Sequence, residues 1–137
     1  MVFHIDSRIL STCVFIAQWE LSEVYLKDES RFPWFILIPR VENVQEIHQL
    51  SSHHQRILME EISHVSEIIS KQFKPDKINV ASLGNIVSQL HIHLVGRNQI
   101  DPFWPNGIWQ PNYTPHPYLK SDIETLQKKL QSVLKEI

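Results

Sequence analysis

The feature that most limits how this chain can fold is an apolar run at residues 34–38, Trp-Phe-Ile-Leu-Ile, which ends at Pro39. Successive side chains on a β-strand point to opposite faces of the sheet. A run without polar residues is therefore typical of a strand covered on both faces. Proline ends such a run because it has no backbone N–H to donate to a neighbouring strand. The sequence predicts a buried strand here.

Four further segments carry strand patterns, at residues 14–19, 23–26, 78–83 and 89–95. The first two are close enough to form a hairpin. The last two are joined through Gly84 and Asn85, which suit a turn because both tolerate positive φ.

Three pairs of residues have capping-box spacing and predict helix starts: Asn43 with Glu46, Ser52 with Gln55, and Ser121 with Glu124. We expect a short helix from the first pair through Leu50. Apolar side chains recur every three or four residues after the other two pairs, which predicts amphipathic helices. The pattern indicates one α+β domain over residues 1–137, with a mostly antiparallel five-stranded sheet and helices on one side.

Composition excludes several classes of function. The 137 residues carry a formal net charge of -2, so no global basic field attracts nucleic acid. The apolar runs are too short to cross a membrane, and the first residues have no signal-peptide pattern. Cys13 is the only cysteine, so no intramolecular disulfide can form, which favours a reducing, cytoplasmic location.

The most informative segment is residues 89–95, Gln-Leu-His-Ile-His-Leu-Val. On a strand, its leucines and isoleucine would face the core while Gln89, His91 and His93 share the other face. We expect that polar face to border water or a ligand, and Gly96 to let the chain turn past it. The simplest explanation is an ordinary exposed sheet face, on which alternate histidines have no special role.

Two chemical interpretations compete with that explanation. His-x-His on a strand is common in metal sites, but a third ligand must come from elsewhere, and the candidates are His53, His54 and His64 in a helical pattern. Alternatively, neutral imidazole is a nucleophile near neutral pH and can form a covalent phosphoryl or nucleotidyl intermediate. Such a site needs donors for phosphate oxygens, which His93, Gln89, the Gly84–Asn85 backbone and Arg97 can supply.

The same residues resemble the histidine triad (HIT) family, whose motif alternates three histidines with apolar residues. Residues 35–40, Phe-Ile-Leu-Ile-Pro-Arg, are similar to the apolar strand of that family, and a helix follows as in the family. The turn segment from Asn79 to Asn85 also has its counterpart, so the resemblance covers about residues 10–97. The loop-rich tail at 98–120, before a C-terminal helix at 121–137, resembles a bacterial HIT-like subgroup with Gln as the first triad residue.

The resemblance implies a HIT-like fold that dimerises, with one long helix beside the sheet. It also implies a nucleotide hydrolase or nucleotidyl transferase that acts at an α-phosphate without a cofactor or metal. His91 takes the place of the nucleophile, and His93 would hold a phosphate oxygen or assist the leaving group. Gly84, Asn85, Arg97 and Asn79 are the candidate phosphate-binding residues.

Three positions depart from the family pattern. The first triad residue is Gln89, which cannot carry a proton as histidine does. Glu42 stands where the family often has a further histidine, and Ile86 stands where a Ser or Thr commonly helps to bind phosphate. A nucleotide-binding protein without catalysis is therefore the main alternative, and a His-x-His metal protein is the second.

Other residues have simpler explanations. Asp28 lies near the family's ribose-binding acid, but an acidic turn explains it as well. Trp104 and Trp109 could stack on a base, and we favour their packing the tail onto the sheet. We place Cys13 in the core.

Overall fold

A computed structural model describes residues 2–134. The elements follow in the order α1 (Ser7–Leu10), β1 (Cys13–Gln18), β2 (Ser22–Lys27), β3 (Trp34–Pro39), a 3₁₀ turn (Ile47–Gln49), α2 (Ser52–Phe73), β4 (Lys77–Ser82), β5 (Ile92–Arg97) and α3 (Lys120–Leu134). The strands form one antiparallel sheet in the order β1-β2-β3-β5-β4. The predicted α+β architecture with a five-stranded antiparallel sheet is confirmed.

Strand β3 is buried along its whole length, as its apolar run predicts. Phe35 and Leu37 lie in a core cluster with residues of α2 and α3. Trp34 and Ile36 face the opposite cluster, which includes Phe103 and other residues from outside the sheet. The long helices cover one face of the sheet, whereas α1 and the loop-rich tail cover the other.

Helix α2 follows the predicted apolar stripe, and Ile57, Leu58, Ile62, Val65 and Ile69 are buried on it. Its cap is Ser51, whose hydroxyl accepts from the His54 N–H, one residue before the predicted cap. The helix ends at Lys74 in the left-handed conformation (φ 48°), directly before Pro75.

The short helix predicted from Asn43 is wrong. Asn43 has a positive φ of 58°, which no residue inside an α-helix adopts. The capping box forms three residues later, between Glu46 and Gln49, and it closes only a 3₁₀ turn. Helix α3 starts at Lys120, one residue before its predicted cap, and buries Ile123, Leu130 and Leu134. The end of the predicted C-terminal helix, at Ile137, lies outside the described residues.

Strand β5 starts at Ile92, three residues later than predicted. Leu90 donates instead to the Val44 carbonyl at 2.9 Å, so residues 83–91 form a loop rather than a tight hairpin turn. Neither Gly84 nor Asn85 has positive φ, contrary to our expectation.

Gly96 is also a correction, because it lies inside β5 rather than at a turn. A Cβ atom there would lie 2.7 Å from Cγ of Pro33 and 3.2 Å from Cγ2 of Ile69. The glycine therefore permits close packing of α2 against the sheet. In the part of the chain that the structure describes, no helix is long and apolar enough to cross a membrane.

Candidate active site

His91 lies at the end of the loop that precedes β5, and it is only 6 % exposed. Its Nδ1 atom is 2.6 Å from the backbone carbonyl oxygen of Gln89. A carbonyl only accepts hydrogen bonds, so the Nδ1 atom of the neutral ring carries the proton. Within residues 2–134, no hydrogen bond occupies Nε2. The lone pair of Nε2 is therefore available to an electrophile.

His93 is the second histidine on this face of the sheet, and the centroids of the two imidazole rings are 4.8 Å apart. The indole N–H of Trp34 donates to Nδ1 of His93 at 3.0 Å. In the neutral ring this contact places the proton on Nε2. His93 is thus a hydrogen-bond donor beside the free nitrogen of His91. The predicted alternation is confirmed here, since Leu90, Ile92 and Leu94 lie on the other face of the sheet, in the core cluster with α2 and α3.

Both imidazoles are held neutral, because burial lowers the pKa of each. For His91, the hydrogen bond to the Gln89 carbonyl opposes burial and raises the pKa, while the charge of Lys27 lowers it. For His93, burial, His91 and Lys27 lower the pKa to about 3, although a hydrogen bond to the Leu83 backbone opposes them. The face is therefore not the ordinary exposed sheet face of the simplest explanation, because both histidines are buried.

A pocket of about 140 Å³ adjoins His91. Gly84, Asn85, Ser88 and Gln89 line it, so the structure brings the predicted residues Gly84, Asn85 and Gln89 together with His91. This volume equals that of about five water molecules, which is enough for a phosphate-sized group. A Cβ atom at Gly84 would lie 3.1 Å from the Val87 carbonyl oxygen, which explains the glycine in so compact a loop.

Sequence reasoning missed two residues of the site. The family pattern has a Ser or Thr at the position of Ile86, and Ile86 is 81 % exposed. The hydroxyl residue that lines the pocket is Ser88. Sequence reasoning also passed over Lys27 at the end of β2. The Lys27 ammonium lies 5.1 Å from the Trp34 ring centroid, and its charge lowers the pKa of both histidines. No local sequence signal distinguishes it from the other lysines.

Arg97 and Asn79 have different partners from the phosphate that we expected. The Arg97 side chain is 1 % exposed and pairs with both oxygens of Asp101 at 2.7 and 2.9 Å. Its remaining Nη1 donates to the Asn79 side-chain oxygen at 2.9 Å. Both groups are thus engaged in a buried network that anchors the tail, and we revise their assignment as phosphate-binding residues.

The tail packs onto the sheet, as favoured from its sequence. Trp109 meets His93 edge-on at a centroid distance of 5.0 Å and Trp34 at 6.1 Å. The backbone N–H of Trp104 donates to Asp101. The Asp28 carboxylate accepts from the backbone N–H of Tyr118 at 2.9 Å. Asp28 therefore anchors the tail.

Cys13 packs beside the second core cluster, and burial raises the pKa of its thiol.

Among the residues that the structure describes, no three His, Cys, Asp or Glu side chains are grouped to hold a metal ion. His53, His54 and His64 lie on α2 and supply no third ligand beside His91 and His93.

The HIT domain family matches residues 10–100, about two thirds of the chain. The chain belongs to the histidine triad family. Its HIT domain comprises the sheet, α2 and both histidines of the site. The search of curated proteins found no match.

Three solved histidine triad proteins are similar to almost the whole chain. The protein from Marinobacter aquaeolei is 37 % identical, with 96 % of each chain covered and a TM-score of 0.91. That from Bradyrhizobium japonicum is 32 % identical, with 95 % of this chain and 96 % of the other covered and a TM-score of 0.89. That from Sinorhizobium meliloti is 30 % identical, with 96 % and 97 % covered and a TM-score of 0.90. The likeness extends beyond the HIT domain and includes the tail.

Proposed function

We propose that this HIT protein is a nucleotide hydrolase or nucleotidyl transferase that acts at an α-phosphate through a covalent nucleotidyl-His91 intermediate. The observation that carries the proposal is the 2.6 Å contact between His91 Nδ1 and the Gln89 carbonyl. That contact fixes the proton on one nitrogen and leaves the other as a nucleophile. The adjoining 140 Å³ pocket supports the proposal because it has room for the phosphate.

The reaction has two displacement steps. Nε2 of His91 attacks the α-phosphorus, and the bond from phosphorus to the leaving oxygen or nitrogen breaks. The leaving group takes a proton from water, while the neutral His93 ring donates a hydrogen bond to a phosphate oxygen. A second water molecule then attacks the phosphorus and loses a proton to solvent, the P–N bond to His91 breaks, and a nucleoside monophosphate is released. A different acceptor in place of water makes the second step a transfer.

Phosphate stabilisation falls to neutral donors and one nearby cation. Gly84, Asn85 and Ser88 line the pocket together with Glu46, whose carboxylate is engaged with the Gln49 backbone N–H in the capping box. Lys27 supplies positive charge, because its ammonium acts on both histidines. Donors already in place in a desolvated site stabilise developing charge without reorganisation.

A nucleotide-binding protein without turnover is the second candidate. Gln89 favours it, since an amide replaces the ionisable first histidine of the family. Both candidates bind nucleotides at the same pocket, so only turnover separates them.

The direct experiment offers the purified protein a series of nucleoside phosphoramidates and dinucleoside polyphosphates and measures release of nucleoside monophosphate. We expect turnover by the wild type and a loss of several orders of magnitude in His91→Ala. The control is His53→Ala, an exposed histidine on α2, which should keep the wild-type rate. Nucleotide binding without turnover by the wild type would favour the second candidate.

A further inference from the structure

The Gln89 side chain makes two hydrogen bonds to one segment far away in the sequence. Its Oε1 accepts from the Asp6 N–H at 2.9 Å, and its Nε2 donates to the His4 carbonyl at 2.8 Å. The amide thereby holds residues 4–6 as a neighbouring strand would. No ionisable side chain is needed for these contacts, and a carboxylate could not make both of them.

The same residue holds the nucleophile through its backbone. The Gln89 carbonyl fixes Nδ1 of His91, so one residue links the N-terminal segment to the reacting imidazole. The segment itself is stiffened at Asp6, whose carboxylate pairs with the Arg8 guanidinium at 2.8 and 3.0 Å and accepts from the Arg8 N–H. A change in the Gln89 amide would therefore displace residues 4–6, which form an ordered wall beside the site.

That wall borders a cavity of about 440 Å³, lined by residues 3–6, 42–45 and 88–89. The cavity adjoins the phosphate-sized pocket, since Gln45, Ser88 and Gln89 line both. Phe3, Ile5 and Val44 are apolar, Asp6 and Glu42 are acidic, and no lysine or arginine lines the cavity. Apolar and amide side chains suit an organic group, and the two carboxylates disfavour a second phosphate.

We propose that Gln89 is a positioning residue that holds residues 3–6 as one wall of a subsite for the organic group bonded to the reacting phosphate. The subsite rests on the proposed function, because the phosphate is placed beside His91. Gln89 thus serves substrate positioning at the point where the family has its first histidine, and the proton transfers of the reaction do not pass through it.

The test uses Gln89→Met, which keeps the length of the side chain and removes both amide contacts. We expect KM for a nucleoside phosphoramidate to rise about tenfold, the effect of losing one or two hydrogen bonds, while kcat changes less than about threefold. Inhibition by inorganic phosphate, which fills only the small pocket, should change less than about threefold, because the Gln89 amide is engaged with His4 and Asp6 and is not a phosphate donor. The matched control is Gln127→Met, which removes one amide contact to the Phe15 carbonyl on the opposite side of the molecule.

Two outcomes would overturn the positioning role. One is a fall in kcat of about a hundredfold or more at unchanged KM, which would place Gln89 in the chemistry. The other is an equal change in nucleotide and phosphate affinity, which would place its effect in the small pocket or in the fold as a whole.

Hydrogen exchange tests the contact itself without any substrate. The Asp6 amide should exchange at least about tenfold faster in Gln89→Met than in the wild type, while the amides of β3 remain protected. Equal protection of Asp6 in both proteins would contradict the proposal. This measurement is valid even if the wild type turns over no nucleotide, so failure of the proposed function and failure of the positioning role are distinguishable.

Discussion

The two histidines of the site differ in what holds them, although they are two residues apart. A backbone carbonyl orients His91, whereas the Trp34 indole orients His93. Opposite nitrogens therefore carry the protons, which suits the proposed roles of His91 as nucleophile and His93 as hydrogen-bond donor. Burial keeps both neutral, as the two roles require.

The first prediction concerns the pH dependence of the rate. Only neutral His91 is nucleophilic, and its pKa lies below the ordinary value of 6.5 because of burial. We expect kcat/KM to rise with pH to a midpoint below 6.5 and to be level above it. Lys27→Met should raise the His91 pKa and move the midpoint upward, whereas Lys71→Met, on the exposed surface of α2, should leave it in place. A midpoint that Lys27→Met does not move would contradict this electrostatic assignment.

The second prediction concerns Gln89→His. An imidazole cannot reproduce the pair of amide contacts to His4 and Asp6, and it leaves at least one of these backbone groups without its partner. We expect a loss of about 1–3 kcal/mol in the free energy of unfolding, together with lower turnover. Thermal melting and kinetics measure both. Unchanged stability with equal or higher turnover would show that the position accepts the family's histidine.

At this scale the sequence predicts which residues share a face, because alternation along a strand is a local property. It places His91 and His93 together and sends Leu90, Ile92 and Leu94 to the core. It does not predict the partners of Gln89, which lie more than 80 residues away. Nor does it predict that Arg97 is buried with Asp101, since a charged residue after a strand has the same sequence pattern at the surface.

Among the elements, α2 and β3 were the most predictable. Their apolar patterns extend over several turns or over a whole strand, and each pattern fits only one type of secondary structure. The start of β5 was not predictable, because Leu90 pairs with the Val44 carbonyl in a loop beyond β3 rather than with β4. The sequence pattern around Gly84 and Gly96 predicts a turn at each glycine. In the structure, each glycine is instead explained by a close neighbour that a Cβ atom would contact.

The third prediction tests how the tail is anchored. The Arg97–Asp101 pair is buried, with side-chain exposures of 1 % and 2 %. Asp101→Asn leaves the guanidinium without its charge partner, and we expect a loss of about 3–5 kcal/mol in the free energy of unfolding. The control is Glu67→Gln, which removes an exposed pair with Lys71 and should cost less than about 1 kcal/mol. Similar losses in denaturant titrations of the two variants would refute the anchoring role.

For the whole molecule, the two edges of the sheet differ. At β1, the side chains of Gln127 and Gln131 on α3 donate to the Phe15 carbonyl, so helix α3 covers part of that edge. Strand β4 forms the opposite edge and carries Val80, which is 48 % exposed. An uncovered edge strand is a template for pairing with another chain.

The fourth prediction is a homodimer, as the family resemblance implies, with β4 as the joining edge. Sedimentation at micromolar concentration should give a single species of twice the chain mass. Val80→Asp should shift the equilibrium toward monomer, whereas Leu119→Asp, a more exposed apolar position in the tail, should not. A wild-type protein that sediments at monomer mass would contradict the prediction.

The most direct measurement of the central claim is the mass of the protein during turnover of a nucleoside phosphoramidate, quenched under alkaline denaturing conditions that preserve a P–N bond. The account predicts that one nucleotidyl group is attached and that peptide mapping places it on His91 rather than His93. The adduct should decay as nucleoside monophosphate appears, and it should be absent from His91→Ala. Turnover by the wild type without an adduct, or an unchanged rate in His91→Ala, would contradict the account.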